Sequence, residues 1–245
     1  SAEIRPDIPA LLKQYRRHFY VIVVAATPSF MAHPRSIAAL KQVSDCIIIR
    51  RNEGYDYGSW MTGLRISKDL IKNRQQVVLT NDSFWGPVRP LRSLFEKLRR
   101  TDADAVGLTD DLMYEPHLQS AFISYRRPAL DHPGFYDFWN DLKAWESKAE
   151  IIKRCEVGLT AKLAGEGLNL KAIYTNQSNG NVLHYNWKSL IVDQDFPFIK
   201  VTLLKGNPTQ QNTEGWWELV HSHNPQLARR IQQQLEPTDS VAVDG

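Results

Sequence analysis

The chain is poor in cysteine, has no long apolar run and carries almost no net charge, and each shortage removes a class of protein. Two cysteines in 245 residues, Cys46 and Cys155, cannot build a disulfide framework, and their spacing matches no zinc-binding pattern. A reducing, cytoplasmic setting is the expectation. No apolar stretch approaches the ~20 residues that a membrane-crossing helix requires. A formal charge of +3 is too small to argue for nucleic acid as a partner. The glycine spacing of dinucleotide folds and the Gly-Lys-Ser/Thr of phosphate-gripping loops are also missing, which argues against dehydrogenases and P-loop enzymes.

What is present describes an ordinary globular chain. Hydrophobic residues make up 42% and charged residues 23%, values that speak against wholesale disorder. There is no internal repeat, low-complexity tract or linker, so a single domain is expected. Its core spans about residues 19–208, followed by a helical extension over about 209–235 and a frayed tail over 236–245. The leading Ser1-Ala2 reads as a cut end, so the natural protein is expected to begin earlier. Lys13, Arg16 and Arg17, then Arg89, Arg92, Lys97, Arg99 and Arg100, form two basic clusters on helical segments. They are either solvated helix faces or contacts to an anionic membrane surface.

Strand and helix patterns alternate through the first half. Phe19 to Ala26, Cys46 to Ile49, Gln76 to Thr80 and Ala103 to Leu108 read as buried strands. Helical periodicity covers Ile8 to Arg17, Pro34 to Val43, Ser59 to Lys72 and Leu91 to Arg100. Such βα units imply a mostly parallel sheet of the nucleotide-binding kind, flanked by helices. Later segments are less regular. They comprise a strand over Leu118 to Tyr125, helices over Tyr136 to Glu150 and Ile151 to Gly165, a short strand over Leu170 to Tyr174, and an Asn-rich loop over Thr175 to Asn181. Two short segments broken at Pro197 follow within Trp187 to Leu204.

Ligands of open parallel sheets lie beyond the carboxyl ends of the strands, so the residues after each strand are the candidates. Thr27, Pro28 and Ser29 follow the first. A glycine-bearing loop from Asn52 to Gly58 follows the second, where Gly54 and Gly58 permit close backbone approach and Asp56 can bond sugar or ribose hydroxyls. Asn81, Asp82 and Ser83 follow the third. Asp82, at the tip of a buried strand, is suited either to a divalent cation bridging a diphosphate or to capping a turn. Glu156 begins an amphipathic segment and is either a helix-dipole partner or a general base.

Several blocks together resemble the rhamnan synthesis F family of bacterial glycosyltransferases. They are Asn52-Glu53-Gly54-Tyr55-Asp56-Tyr57-Gly58-Ser59-Trp60, Leu79-Thr80-Asn81-Asp82-Ser83-Phe84-Trp85-Gly86-Pro87, His117-Leu118-Gln119-Ser120 with Phe138-Trp139, Glu156-Val157-Gly158-Leu159, and Trp187-Lys188-Ser189-Leu190-Ile191 with Phe196-Pro197-Phe198-Ile199-Lys200. The order of glycine-bearing loop, acidic strand tip and Glu-x-x-Leu helix is also similar to inverting glycosyltransferases of the GT-A fold. The resemblance implies a GT-A-like, Rossmann-related α/β domain with a helical C-terminal portion. It further implies transfer of a sugar, dTDP-L-rhamnose being the first-choice donor, to a glycan or lipid-linked glycan acceptor in cell-surface polysaccharide or O-antigen assembly. Glu156 and Asp82 would be catalytic. Thr27, Asn52, Gly54, Asp56, Gly58, Asn81, Asp82, Ser83, Lys200 and Lys205 would hold the donor. Trp85, His117 and Gln119 would hold sugar or acceptor, and Asp82 with His184 would ligate Mg²⁺ or Mn²⁺.

The sequence departs from the GT-A pattern in carrying one acid where Asp-x-Asp has two, and one carboxylate at Glu156 where a pair is usual. Metal dependence therefore stays open. Two rivals stand beside the enzyme: a non-catalytic nucleotide-sugar or glycan-binding module of a larger multidomain polymerase, and a sugar-phosphate transferase. The expected site of action is the cytoplasm, peripheral to the inner membrane face.

Overall fold

The computed structural model describes residues 4–27, 33–143, 147–175 and 180–236. Pro28, Ser29, positions 176–179 of the Asn-rich loop and the tail beyond Glu236 lie outside these residues. In chain order the elements begin with α1 (Ile8–Tyr15), β1 (Ile22–Thr27), α2 (Pro34–Val43), β2 (Cys46–Arg51), α3 (Tyr55–Ile66), α4 (Lys68–Ile71), β3 (Gln76–Thr80), β4 (Phe84–Trp85) and α5 (Arg92–Arg100). Then come β5 (Ala105–Asp111), β6 (His117–Leu118), β7 (Phe122–Arg126), α6 (Arg127–Asp131), α7 (Pro133–Asn140), α8 (Lys148–Ile151), a π-helical turn (Ile152–Val157) and α9 (Gly158–Gly165). The chain continues through β8 (Leu170–Tyr174), α10 (Val182–Tyr185), α11 (Trp187–Asp193), β9 (Ile199–Lys200), α12 (Val201–Leu204), α13 (Trp216–His223) and α14 (Pro225–Leu235).

The architecture is mixed α/β, and the expectation of a mostly parallel sheet needs correcting. The main sheet has five strands. β5 pairs with β8 in parallel, but β7 runs antiparallel between β3 and β5, and β6 is also antiparallel to β5. After β5 the chain turns at once through residues 112–116 instead of crossing over through a helix, so the returning strand must run the other way. β1 and β2 form a separate parallel pair. Among the described residues no strand bonds the second edge of β1 or that of β3. Residues of both strands line a cleft of about 880 Å³.

Alternation along the strands builds two cores, one on each face. On β5, Ala105 joins α3, α7 and α9, whereas Val106 and Leu108 face α5, α11 and the C-terminal α14. On β7, Phe122 faces the second group, whereas Ile123 and Tyr125 face the first. The C-terminal helices dock through Val220, Leu227, Ala228 and Ile231, all buried, and so complete the core. Three members of the basic clusters are paired with acids: Arg16 with Asp45 at 2.9 Å, Arg89 with Asp195 at 3.2 Å and Arg92 with Glu96 at 2.9 Å. Among the described residues no helix is long and apolar enough to cross a membrane.

A register shift next to the cleft shapes the ground around Glu156. Between the pairs Gly107↔Ile123 and Asp110↔Leu118, β5 advances three residues while the facing chain advances five. The two extra residues make a bulge around Gln119, Ser120 and Ala121, which breaks the single strand expected over Leu118 to Tyr125. Bulges bend a strand and re-aim its side chains and backbone groups.

Candidate functional site

Two strand ends, one bulge and one irregular helix converge here. The bulge turns backbone and side chain in two directions. The Ala121 carbonyl accepts from the Asn81 backbone N–H (3.3 Å) and from the Thr80 hydroxyl (2.9 Å), which fixes the tip of β3. Ser120 points the other way. Its backbone N–H donates to Glu156 Oε1 at 2.9 Å and its hydroxyl to Oε2 at 3.0 Å, so both carboxylate oxygens are held.

Glu156 does not lie near a helix N-terminus, which corrects the sequence expectation. The helical rod starts at Lys148, and Glu156 sits in the π-helical turn between α8 and α9. Partnership with a helix dipole falls off within the first turn, so it does not account for this residue. A π turn inserts a residue into the helical ladder and often marks a functional position. The Glu156 side chain is 12% exposed. Burial raises its pKa above the usual carboxylate range, opposed by the Ser120 bonds and by the positive charges of His117 and Lys200. His117 Nδ1 lies 2.7 Å from the Glu115 carbonyl. A carbonyl only accepts, so Nδ1 carries the hydrogen and Nε2 is left facing Glu156 Oε1 at 3.7 Å.

Across from this pair lie Asp56, Asn81 and Asp82. The helix α3 begins earlier than its sequence pattern suggests, so Asp56 and Gly58 are helical and not loop residues. Gly54 caps the helix with a positive φ of 70°, and Asp56 occupies the first turn, where the helix dipole favours a negative charge. The Asn81 amide donates to Asp56 Oδ2 at 2.8 Å and its oxygen accepts from the Ser83 N–H at 3.1 Å. Burial raises the Asp56 pKa, helped by the neighbouring charge of Asp82. Gly58 has a packing role: a Cβ there would stand 2.1 Å from the Glu53 carbonyl oxygen.

Lys200 supplies the cation. It pairs with Phe84 in the β4–β9 ribbon, and the next N–H, Val201, donates to the Ser83 carbonyl at 2.8 Å. This ties Lys200 to the loop that carries Asp82. Burial lowers its pKa, opposed by the charges of Glu156 and Asp56. Tyr57, buried near both acids, has a hydroxyl without a protein partner among the described residues.

Thr27, Asn52, Asp56, Asn81 and Asp82 all line the 880 Å³ cleft, at the end where the strands terminate. Thr27 is 6% exposed, and its hydroxyl has no partner among the described residues. Other predicted residues are less available. Trp85, 1% exposed, is in the core and shows no open ring face. Gln119 is occupied by Thr109 at 2.6 Å and Asp111 at 3.1 Å. His184 is buried between the hydroxyls of Thr209 (2.9 Å) and Thr202 (3.1 Å), so both ring nitrogens are engaged. Lys205 lies exposed at the end of α12. Among the described residues no group of three or more His, Cys, Asp or Glu is arranged to hold a metal ion.

Sequence reasoning missed Ser120 as the residue that orients Glu156, although it ends the block His117-Leu118-Gln119-Ser120. It also missed Arg5, whose guanidinium bonds the Asp82 and Phe84 carbonyls and pairs with Asp7 at 3.0 Å. Nothing local to Arg5 signals a partner 77 positions away.

A family model described as rhamnan synthesis protein F matches residues 22–239. The chain is 24% identical over 157 residues to an uncharacterized protein of Sinorhizobium fredii (strain NBRC 101917 / NGR234), a stretch covering 62% of this chain and 40% of that protein. It is 26% identical over 227 residues to virulence protein VirA of Vibrio anguillarum (strain ATCC 68554 / 775), covering 78% of this chain and 71% of that protein. The chain thus spans about two fifths of the length of the first relative. No solved structure matches.

Proposed function

Because this chain belongs to the rhamnan synthesis protein F family, with its role in polysaccharide synthesis, we propose that it transfers a sugar from a nucleotide-sugar donor to a growing bacterial cell-surface glycan. The observation that carries the reading is Glu156: a buried carboxylate in a π-helical turn, with both oxygens held by Ser120 and Lys200 close enough to act on its charge. Glu156 is oriented by Ser120, faces His117 Nε2 at 3.7 Å and has a pKa raised by burial, an arrangement that suits a general base.

The chemistry is a single displacement. Glu156 takes the proton of an acceptor hydroxyl as its oxygen attacks the anomeric carbon. The bond from that carbon to the diphosphate oxygen breaks, and the diphosphate leaves with the electron pair, giving inversion. Thr27, Asn52, Asp56 and Asn81 hold the hydroxyls of donor sugar and ribose. Lys200 offsets charge on the leaving diphosphate. A divalent cation would be held by Asp82 with Asp56, the diphosphate completing its oxygen shell, and would supply further charge neutralisation. dTDP-L-rhamnose is the first donor to try. The acceptor is a glycan or lipid-linked glycan, met at the cytoplasmic membrane face.

The test is a panel of nucleotide-sugars screened for thermal stabilisation, with and without Mg²⁺ or Mn²⁺, since a ligand of the folded state raises apparent stability by mass action. The binders are then assayed for transfer and donor hydrolysis. Binding without either reaction would replace the enzyme with a binding module of a larger polymerase. A product containing phosphorus in its linkage would make it a sugar-phosphate transferase.

A further inference from the structure

A second cavity, away from the acidic cluster, is lined with carbohydrate-like chemistry. It encloses about 370 Å³, within the range of small-ligand sites. Its walls include Tyr185, Trp187, Lys188, Gln211, Asn212 and Glu214. We propose that this cavity is a glycan subsite, which grips a neutral sugar unit of the acceptor chain remote from the reacting hydroxyl. The assignment to the acceptor rests on the glycosyl-transfer reading; the assignment to a glycan does not.

Three observations carry it. The first is an aromatic platform. The Tyr185 side chain is large, apolar and 52% exposed at the cavity wall. Its ring stands against Gly180, where a Cβ would lie 2.7 Å from the ring, so one face is backed by chain. An exposed aromatic ring beside amides matches a pyranose, which has an apolar C–H face and a polar rim.

The second is polar capacity without net charge. Lys188 and Glu214 contribute opposite signs. Among the described residues the Asn212 amide nitrogen and the Gln211 amide oxygen have no protein partner, so the wall offers both a donor and an acceptor. A phosphate or nucleotide would meet Glu214 with no excess of cations to offset it.

The third is pre-organisation. The wall formed by residues 207–214 is tied to itself through side chains. Asn207 donates to the Gln211 carbonyl at 2.7 Å and accepts the Gln211 N–H at 3.0 Å, the Gln211 amide donates to Thr209 at 2.7 Å, and Asn212 accepts from Glu214 N–H at 2.8 Å. Trp187 Nε1 donates to the Asn212 carbonyl at 3.1 Å, locking this wall to α11. A loop fixed before the ligand arrives gives up less freedom on binding. The wall also reaches the candidate centre. His184, next to Tyr185, bonds Thr209 on one side and Thr202, two residues beyond Lys200, on the other.

The experiment is calorimetric titration of the intact chain with rhamnose, with its tri- and hexasaccharides and with glucose and its oligomers of equal length, checked by intrinsic tryptophan fluorescence. Wild type should bind at least one series, the hexasaccharide more tightly than the free monosaccharide. Tyr185→Ala should weaken that binding tenfold or more at unchanged melting temperature, and Gly180→Ala should weaken it by displacing the ring. Tyr114→Ala, which removes a similarly exposed aromatic outside both cavities, should leave it within twofold. If wild type binds none of these oligosaccharides, or Tyr185→Ala and Gly180→Ala both bind as wild type does, the proposal is overturned. Oligosaccharide binding that depends on Tyr185 in a chain with no transfer activity would keep the subsite and remove the enzyme reading.

Discussion

Replacing Glu156 with Gln separates chemistry from folding at the centre of the proposed site. Gln keeps the shape and one oxygen to accept the Ser120 N–H, while its amide can donate to the Ser120 hydroxyl. Two charge-assisted hydrogen bonds become neutral, a loss of about 1 kcal/mol each, but a buried charge disappears as well. Net stability should change by no more than about 1–2 kcal/mol. The direction depends on pH. Burial raises the Glu156 pKa, so the native state holds its proton where the unfolded chain, near an ordinary pKa of about 4.3, has released it. Wild type therefore loses this contribution as pH rises from the unfolded value through the folded one. The Gln variant has no such loss, so its denaturation midpoint should gain on wild type between pH 4.5 and pH 7.5. Transfer should meanwhile fall by about 10²–10⁴, or about 2.7–5.4 kcal/mol of transition-state stabilisation, the usual contribution of a general base. The assay is a single-turnover transfer rate at saturating donor, beside the donor dissociation constant, which should move less than about threefold. A variant that binds donor and still transfers at the wild-type rate refutes the base assignment. A stability difference that does not depend on pH refutes the account of the buried charge.

Asp56→Asn should weaken donor binding roughly tenfold, the loss of one charge-assisted bond of ~1.4 kcal/mol, measured by titration with the best nucleotide-sugar; little change would take Asp56 out of the donor site. Lys200→Gln removes a positive charge that pulls the Glu156 pKa down, so the acidic limb of the pH–rate profile should move to higher pH and donor affinity should drop. Gly58→Ala places a methyl 2.1 Å from the Glu53 carbonyl and should lower the melting temperature by several degrees, the strain of overpacking being about 1–3 kcal/mol. Leu130→Ala, at a side chain with 0% exposure, should lose about 2–5 kcal/mol in denaturant melts with the donor dissociation constant unchanged.

How far the sequence could be read depended on whether a feature is local. β3 and β8 match their expected bounds, Gln76–Thr80 and Leu170–Tyr174, because each is a short, mainly apolar segment edged by polar residues. The direction of β7 was not legible in that way. Alternating strands and helices in the first half suggested a mostly parallel sheet, and only the short connection after β5 told against it. Asp56, Asn81, Glu156 and Lys200 could be chosen from their places after strands and from the family blocks. What joins them could not: the bulge at Ser120, the π turn at Glu156 and the Arg5 contact all come from pairings between distant parts of the chain. The engagement of both His184 ring nitrogens was illegible for the same reason, since the two threonines that hold them lie 18 and 25 residues further on.

The open edges of β1 and β3 have a consequence for how the molecule comes apart. Every backbone bond of a continuous sheet must be broken together, but here no ladder joins β1 and β2 to the other strands among the described residues. The two-stranded block, with α2 and α3 packed on it, is held to the rest by side chains such as those of Trp60 and Leu64, which join the core on one face of the main sheet. Amide protons of Val23 to Ala26 are then expected to exchange through a local opening that leaves β5 and β7 protected, as a separate cooperative unit. Thr27, Asn52 and Asp56 belong to that unit, and Asn81 and Asp82 to the other. A donor spanning both would fasten the less stable unit to the more stable one, and slowed exchange along β1 would register its arrival.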